Sequence, residues 1–446
     1  MSTFACRFRN RPVFFGFGKT CRVPLGNMRA LQQNMKAQTM QPTPSDHCAP
    51  PPAAKPLASP KRRQLLACLA VAPWASACST GPVANGTSTH PASQWPQALP
   101  NSAGFDASAL AALLARVQTE PSPLHSLLIE RAGKLVAEVY RTGPDQNISR
   151  WYGLQPFQGD TAFDAQTLHD VRSISKSVVS LLFGISMHRG QWANLDTPVM
   201  QFYPEHAAMQ TPALARLKIR HLLDMSSGWD WAEGYSFPDD ETRLFWKQSI
   251  SAYMFSRPQA ASPGQRWNYN GGCTALLADI LVRQHPGQTL QSLAQSMLLE
   301  PLGIQHWEWV NDIHGRALAF AGLRLRPRDL LKLGRLLLNQ GQWSGQAVVP
   351  PEWVKACLQP AVATTLPNAL IPTESLGYAR QFWQGSLDWQ SRRLAWTAGY
   401  GNGGQRLFVV PGLDLSVAIT AGTYGDHRVG KQLLQTLENV VNTVRA

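Results

Sequence analysis

The stretch Arg172-Ser173-Ile174-Ser175-Lys176-Ser177 decides how the rest of the chain is read. From Ser177 onward Val178, Leu181, Leu182 and Ile185 recur at i, i+3, i+4 and i+7, which predicts a helix with one buried stripe. Ser173 falls at or just before its start, and residues three apart share a helix face, so the Lys176 amine can reach the Ser173 hydroxyl. A serine hydroxyl is a weak nucleophile until a neighbour takes its proton. Lysine can do so only as a free amine, well below its ordinary pKa of about 10.4. Burial and the partial positive charge of a helix N-terminus both push it that way. The alternative is an N-cap serine beside a solvated lysine. No other lysine in the chain has a serine three residues before it.

Working outward, 446 residues allow two or three domains, and 44% hydrophobic with 15% charged residues is enough to bury a large core. The net charge of +13 invites a nucleic-acid reading, but residues 1–78 hold 11 of the 41 Lys+Arg and 1 of the 28 Asp+Glu. The remainder carries 30 cations against 27 acids. That near balance excludes an electrostatic nucleic-acid footprint.

Residues 1–60 lack sustained periodicity and read as a disordered extension or a mis-assigned start. Residues 61–78 read as a signal peptide: Lys61-Arg62-Arg63, a short apolar run from Leu65 to Ala72, then Ala75-Ser76-Ala77-Cys78. The run is too short to span a membrane. Cys78 stands where a bacterial lipoprotein would be lipidated, and Arg62-Arg63-Gln64-Leu65-Leu66 faintly resembles a twin-arginine signal. A signal should not lie behind sixty residues, so translation is expected to start downstream, Met40 being one candidate. Export to the periplasm, or lipid anchoring to the bacterial envelope, follows. Residues 79–101 form a Pro/Ser/Gly-rich linker.

The exported part keeps Cys78, Cys273 and Cys357 of seven cysteines, too few for a disulfide framework. No Cys/His cluster has zinc spacing and His-Glu-x-x-His is absent, so neither metal nor cofactor is expected.

The folded domain, residues 102–446, opens with a helical pattern from Ala107 to Gln118 and a hairpin pattern, Leu124 to Arg141, turning at Ala132-Gly133-Lys134. Helices and loops fill the middle. The end returns to strands over Leu394 to Ala398, Arg406 to Pro411 and Leu415 to Ala421, then a helix around Gly430 to Val444. Strands at both ends enclosing a helical middle imply an α+β fold: one antiparallel sheet flanked by helices, plus a helical lobe.

Five motifs then fall in order: Arg172 to Ser177, with the Ser-x-x-Lys of penicillin-recognising enzymes; His221-Leu222-Leu223-Asp224-Met225-Ser226-Ser227-Gly228; Trp267-Asn268-Tyr269-Asn270-Gly271-Gly272; Ala321-Gly322-Leu323-Arg324 with Arg328-Asp329; and Gly401-Asn402-Gly403-Gly404-Gln405. Over nearly all of residues 100–446 the chain resembles the class C β-lactamase-related serine hydrolases, a superfamily of penicillin-binding proteins, esterases and aminohexanoate-dimer hydrolases. The resemblance implies a β-lactamase/transpeptidase-like fold with Ser173 as nucleophile, Lys176 as base and Tyr269 as second catalytic element, protonating the leaving group. By the residues alone, the preferred reading of Tyr269 is a half-buried aromatic beside Trp267.

Departures from the family pattern shape the expected substrate. The family's Tyr-x-Asn or Tyr-x-Ser is broken, because position 271 is Gly and the nearby amide is Asn270. Counting back from Pro411, its Lys-Thr-Gly falls on Trp396-Thr397-Ala398, so the cation that holds a substrate carboxylate is missing. The same count puts the oxyanion hole on the backbone N–H groups of Ser173 and Gly399. Trp396, Asn402 and Asn270 are the expected substrate contacts, joined by Tyr235 from the aromatic run Trp229 to Tyr235; the alternative for that run is packing at the lobe interface. His221 reads as a buried structural histidine. The sequence thus describes an exported serine hydrolase acting on a small ester or amide through an acyl-enzyme. A β-lactamase or D-alanyl-D-alanine peptidase is the alternative enzyme, and a catalytically silent lipid-anchored sensor the alternative outside enzymes.

Overall fold

The hairpin forms where the alternation predicts it. Leu124–Arg131 (β1) pairs with Lys134–Tyr140 (β2), and Ala132 and Gly133 turn the chain with φ of 52° and 79°. Two consecutive left-handed residues make the tight turn whose twist matches the strands. The computed structural model describes residues 95–148, 159–190, 194–234, 238–364, 375–426 and 428–445 of the unit Ala84–Ala446. In the unit Met1–Val83 it describes a two-strand ladder, Cys6–Phe8 with Arg11–Val13. Apart from that ladder, the expected disordered extension lies outside the described residues, as do the signal peptide, Cys78 and Tyr235.

Five further strands complete one antiparallel sheet: Ser375–Ala379 (β3), Phe382–Trp389 (β4), Arg392–Gly401 (β5), Gln405–Val410 (β6) and Leu415–Ala421 (β7). Their order is β3-β4-β5-β6-β7-β1-β2. The two ends of the domain meet where Val417 pairs with Ile129. β3 and β4 extend the sheet beyond the strands expected from sequence, because Gly377 and Gly385 interrupt their pattern where Pro360 and the Trp396 ring press against them. β6 and β7 are buried at every position, so both faces are covered.

Ala107–Thr119 (α1) opens the domain, with Asp106 capping Ser108 and Ala109, and packs against Val429–Asn442 (α5), which closes it. Pro327–Leu338 (α4) lies on β7, β6 and β1. Ile174–His188 (α2) and Gly271–Arg283 (α3) pack together in the helical lobe. The single stripe expected for α2 is corrected: residues 174–186 are buried on every side, since α2 is held between α3 and strands β5 and β6. The architecture is α+β, an antiparallel sheet flanked by helices with a helical lobe. Cys273 and Cys357 are separate buried thiols. Among the described residues no helix is long and apolar enough to cross a membrane.

Candidate active site

Ser173 stands at the N-cap of α2, directly after Arg172, whose φ of 53° is left-handed. Such a residue costs about 1–3 kcal/mol and persists only where its surroundings fix it. Here the Arg172 guanidinium lies 4.5 Å from the Tyr424 ring centroid, pairs with Asp170 at 3.7 Å and donates to the Gln146 carbonyl. The three serines of the opening stretch then separate by role. Ser175 donates to Arg172 O at 2.6 Å and accepts from Leu323 N at 3.0 Å, and Ser177 donates to Gln381 O at 2.8 Å. Both are buried structural ties, whereas Ser173 faces a pocket.

Lys176 Nζ reaches Ser173 Oγ at 3.0 Å, as the three-residue spacing predicts. It also donates to Glu241 Oε2 at 2.7 Å and to Phe320 O at 3.0 Å. Its protonation is the reverse of the expectation. Burial alone would free the amine, but Glu241, with Tyr269 and Glu233 behind it, holds the pKa above the ordinary lysine value. Lys176 is therefore an ammonium at rest. Glu233 accepts from Trp231 Nε1 at 2.7 Å and from Gly271 N, and a hydrogen bond joins it to Glu241. Burial raises both carboxyls, with Glu241 repelling Glu233 and Lys176 pulling Glu241 back down.

Gly271 makes this arrangement sterically accessible. A Cβ there would lie 2.2 Å from Glu241 Oε2, so the carboxylate occupies the space that a larger residue would fill. Neither Glu233 nor Glu241 was singled out by the sequence pattern, because 65 residues separate Lys176 from Glu241 and no local spacing links them.

Tyr269 sits among Trp267, Tyr378 and Trp383, with centroids at 6.4, 6.3 and 5.2 Å, so it packs as an aromatic and lines the pocket as well. Its ring lies 4.9 Å from Lys176 Nζ, and its phenol is hydrogen-bonded to Ser173. Burial pushes that phenol up to about 12, against the pull of Lys176, so it stays protonated.

The opposite wall is Tyr400, Gly401, Asn402, Gly403 and Gly404, at the turn between β5 and β6. The backbone N–H groups of Ser173 and Asn402 find no acceptor among the described residues. A Cβ on Gly399 would lie 3.1 Å from Ile174 Cγ2, so Gly399 faces the first turn of α2 and is not among the pocket-lining residues. Trp396 is 1% exposed, its ring against Gly385 and edge-on to Phe408, and it is not among the pocket-lining residues. Asn270 is likewise a cap, accepting from Cys273 N at 3.1 Å, and not a pocket residue. Asn402 does line the pocket, its Oδ1 accepting from Gly425 N at 3.0 Å. In the aromatic run, Trp229 and Trp231 are buried core residues.

A seven-stranded antiparallel sheet, a helical lobe and Ser173 at the head of the helix between them define a hydrolase of the β-lactamase-related superfamily. Residues 131–437 match the family described as Beta-lactamase, and the chain belongs to that family. It is 23% identical over 316 residues to the 6-aminohexanoate-dimer hydrolase of Paenarthrobacter ureafaciens, covering 68% of this chain and 73% of that protein. Among solved structures it resembles a putative 6-aminohexanoate-dimer hydrolase from Bacillus anthracis, with TM-score 0.56, 18% identity, and 77% and 87% of the two chains covered. EstCE1, a hydrolase with promiscuous acyltransferase activity, superposes with TM-score 0.58 at 17% identity over 76% of this chain and 100% of its own.

Proposed function

We propose that the protein hydrolyses an ester or linear amide through a Ser173 acyl-enzyme. The observation that carries this reading is the Ser173–Lys176 hydrogen bond at 3.0 Å, at the edge of a pocket also lined by Tyr269 and Asn402. The reaction starts with a proton crossing the 2.7 Å contact from Lys176 to Glu241, which leaves a free amine beside the serine. The amine takes the Ser173 proton as Oγ attacks the substrate carbonyl. The N–H groups of Ser173 and Asn402 receive the oxyanion, Tyr269 protonates the departing alcohol or amine, and Tyr269 recovers its proton from Lys176. Water then releases the acid by the same steps in reverse order.

The pocket wall favours a neutral or amine-bearing substrate over an anionic one. Glu233, Asp239, Glu241 and Asp426 line it against one arginine, Arg406, whose guanidinium is engaged over Tyr400 and with the Gly401 carbonyl. A linear amide agrees with the name of the Paenarthrobacter relative, and an ester with the hydrolase EstCE1. Export through residues 61–78, with lipid attachment at Cys78, belongs to the same proposal; N-terminal sequencing that recovers peptides from residues 1–35 would remove it.

Intact-mass spectrometry after exposure to a p-nitrophenyl acyl ester, and separately to a fluorophosphonate, tests the chemistry. A single adduct absent from Ser173→Ala is expected. No adduct with either reagent would replace the enzyme reading by a binding protein that keeps the pocket without turnover.

A further inference from the structure

We propose that His125, His169 and Asp145 form a structural site for a divalent transition metal of the zinc type, behind the strand that delivers Ser173. All three side chains are buried, and one nitrogen from each imidazole and an oxygen of the carboxylate lie within 4.8 Å of one another. None of the three lines the Ser173 pocket.

The hydrogen-bond accounts of the two imidazoles carry the argument. His169 Nδ1 lies 3.0 Å from the Asp170 carbonyl, an acceptor only, so that nitrogen carries the proton and Nε2 is bare in the neutral ring. His125 Nδ1 lies 2.8 Å from this bare Nε2. If His125 donates there, its own Nε2 is left as a bare, buried nitrogen beside the Pro144 carbonyl with no hydrogen-bond partner. If it instead directs an N–H toward Pro144, two lone pairs face each other at 2.8 Å. Either neutral arrangement leaves a buried nitrogen unsatisfied, at about 1–3 kcal/mol. A cation between Nδ1 and Nε2 removes the conflict in the second arrangement, with both outer nitrogens turned to backbone carbonyls. That is the outer-shell pattern of metal-bound histidines, in which the second ring nitrogen donates to a carbonyl or carboxylate.

Metal binds the neutral imidazole, in which each ring offers one bare nitrogen. Asp145 supplies the charge. Its Oδ1 is held by Tyr424 Oη at 2.8 Å and Gln146 N at 2.9 Å, while Oδ2 accepts no bond among the described residues. Two imidazoles and a carboxylate suit zinc. With zinc–nitrogen bonds of about 2.0–2.1 Å at a tetrahedral angle the nitrogens would stand ~3.3 Å apart, so the rings need part by only about half an ångström. Phe163, stacked on His125 at 4.0 Å between centroids, walls one side.

The expectation of no metal came from short-range spacing, and a site whose histidines are 44 residues apart has none. Bound metal would tie the start of β1, the segment after β2 and the strand His169–Asp170 together, three residues ahead of the nucleophile.

The test uses the tag-free full chain. Elemental analysis should find stoichiometric zinc after gel filtration, or uptake of zinc by chelator-stripped protein. X-ray absorption of the zinc-loaded wild type should show two imidazoles and oxygen ligands. Asp145→Asn and His169→Gln should lose the metal while still being labelled at Ser173 by a fluorophosphonate, which certifies their fold. Failure of the wild type to retain or take up zinc overturns the proposal. So does a zinc spectrum without two imidazoles, and so does undiminished binding in labelled variants.

Discussion

Two buried clusters in this molecule are built from the same parts and do different things. In one, Lys176 meets Glu241 with Glu233 behind it. In the other, Arg335 of α4 meets Glu130 of β1 at 3.0 Å and Asp414 at the turn before β7. Each sets a buried cation against two carboxyls, of which Asp414 alone is exposed, and in each burial raises a carboxyl above its ordinary range. The difference lies in the remaining contacts. Glu130 Oε1 is closed by the Gly133 N–H, so the Arg335 cluster ends in backbone and clamps the hairpin to α4. Lys176 spends one hydrogen bond on the Ser173 hydroxyl, and that hydroxyl faces a pocket. A buried ion pair becomes a candidate catalytic device only through that last contact.

The contrast breaks first at Ser173. Ser173→Ala should lower kcat by about 10⁶-fold, and Lys176→Ala by ~10³- to 10⁴-fold, with melting temperatures near the wild type. Steady-state kinetics on a p-nitrophenyl ester reads both, and full activity in either variant would dissolve the distinction. Arg335→Ala should do the opposite. Leaving Glu130 buried without its cation should cost about 3–5 kcal/mol in denaturant unfolding, while kcat per folded molecule is retained.

Glu241→Gln sharpens the comparison. Its negative charge stabilises the Lys176 ammonium, so neutralising it lowers the lysine pKa, and the ascending limb of the pH–rate profile, along which the base is freed, should move to lower pH. The lost proton acceptor should reduce kcat at neutral pH by about 10²-fold. A profile unmoved in pH would show that Glu241 does not hold the proton of the base. The smallest effect belongs to Glu130. Burial pushes its carboxyl up to about 7, against Arg335, from 4.5 in the open chain. A raised carboxyl stabilises the fold below its unfolded value, and that contribution is lost as pH rises through about 7. Glu130→Gln should flatten this part of the melting temperature between pH 4 and 8.

Local signals carried much of the fold. The period-2 alternation of residues 124–140 and a turn able to take positive φ gave β1 and β2, and the apolar runs after residue 391 gave β5, β6 and β7 within a few residues. β3 and β4 were missed because glycines and polar residues interrupt them, and burial against neighbours decides such strands. In the site, Ser173 and Lys176 were legible because a helix turns three residues of spacing into contact. The strand opposite was placed on Trp396 and Gly399, whereas the pocket begins at Tyr400. Strand alternation makes several registers equally consistent with one sequence, and only packing selects among them.

The sequence by itself determined the candidate serine and the lysine beside it, the hairpin, the closing strands and the family to which the chain belongs, all encoded at short range or in motif order. Tertiary structure alone decided the charge on Lys176. Glu241 arrives from 65 residues away into space that Gly271 leaves open, and its field outweighs the burial that would have freed the amine. It alone also brought His125 to His169. Electrostatic interactions in a buried site depend on distance through space, which sequence separation does not report.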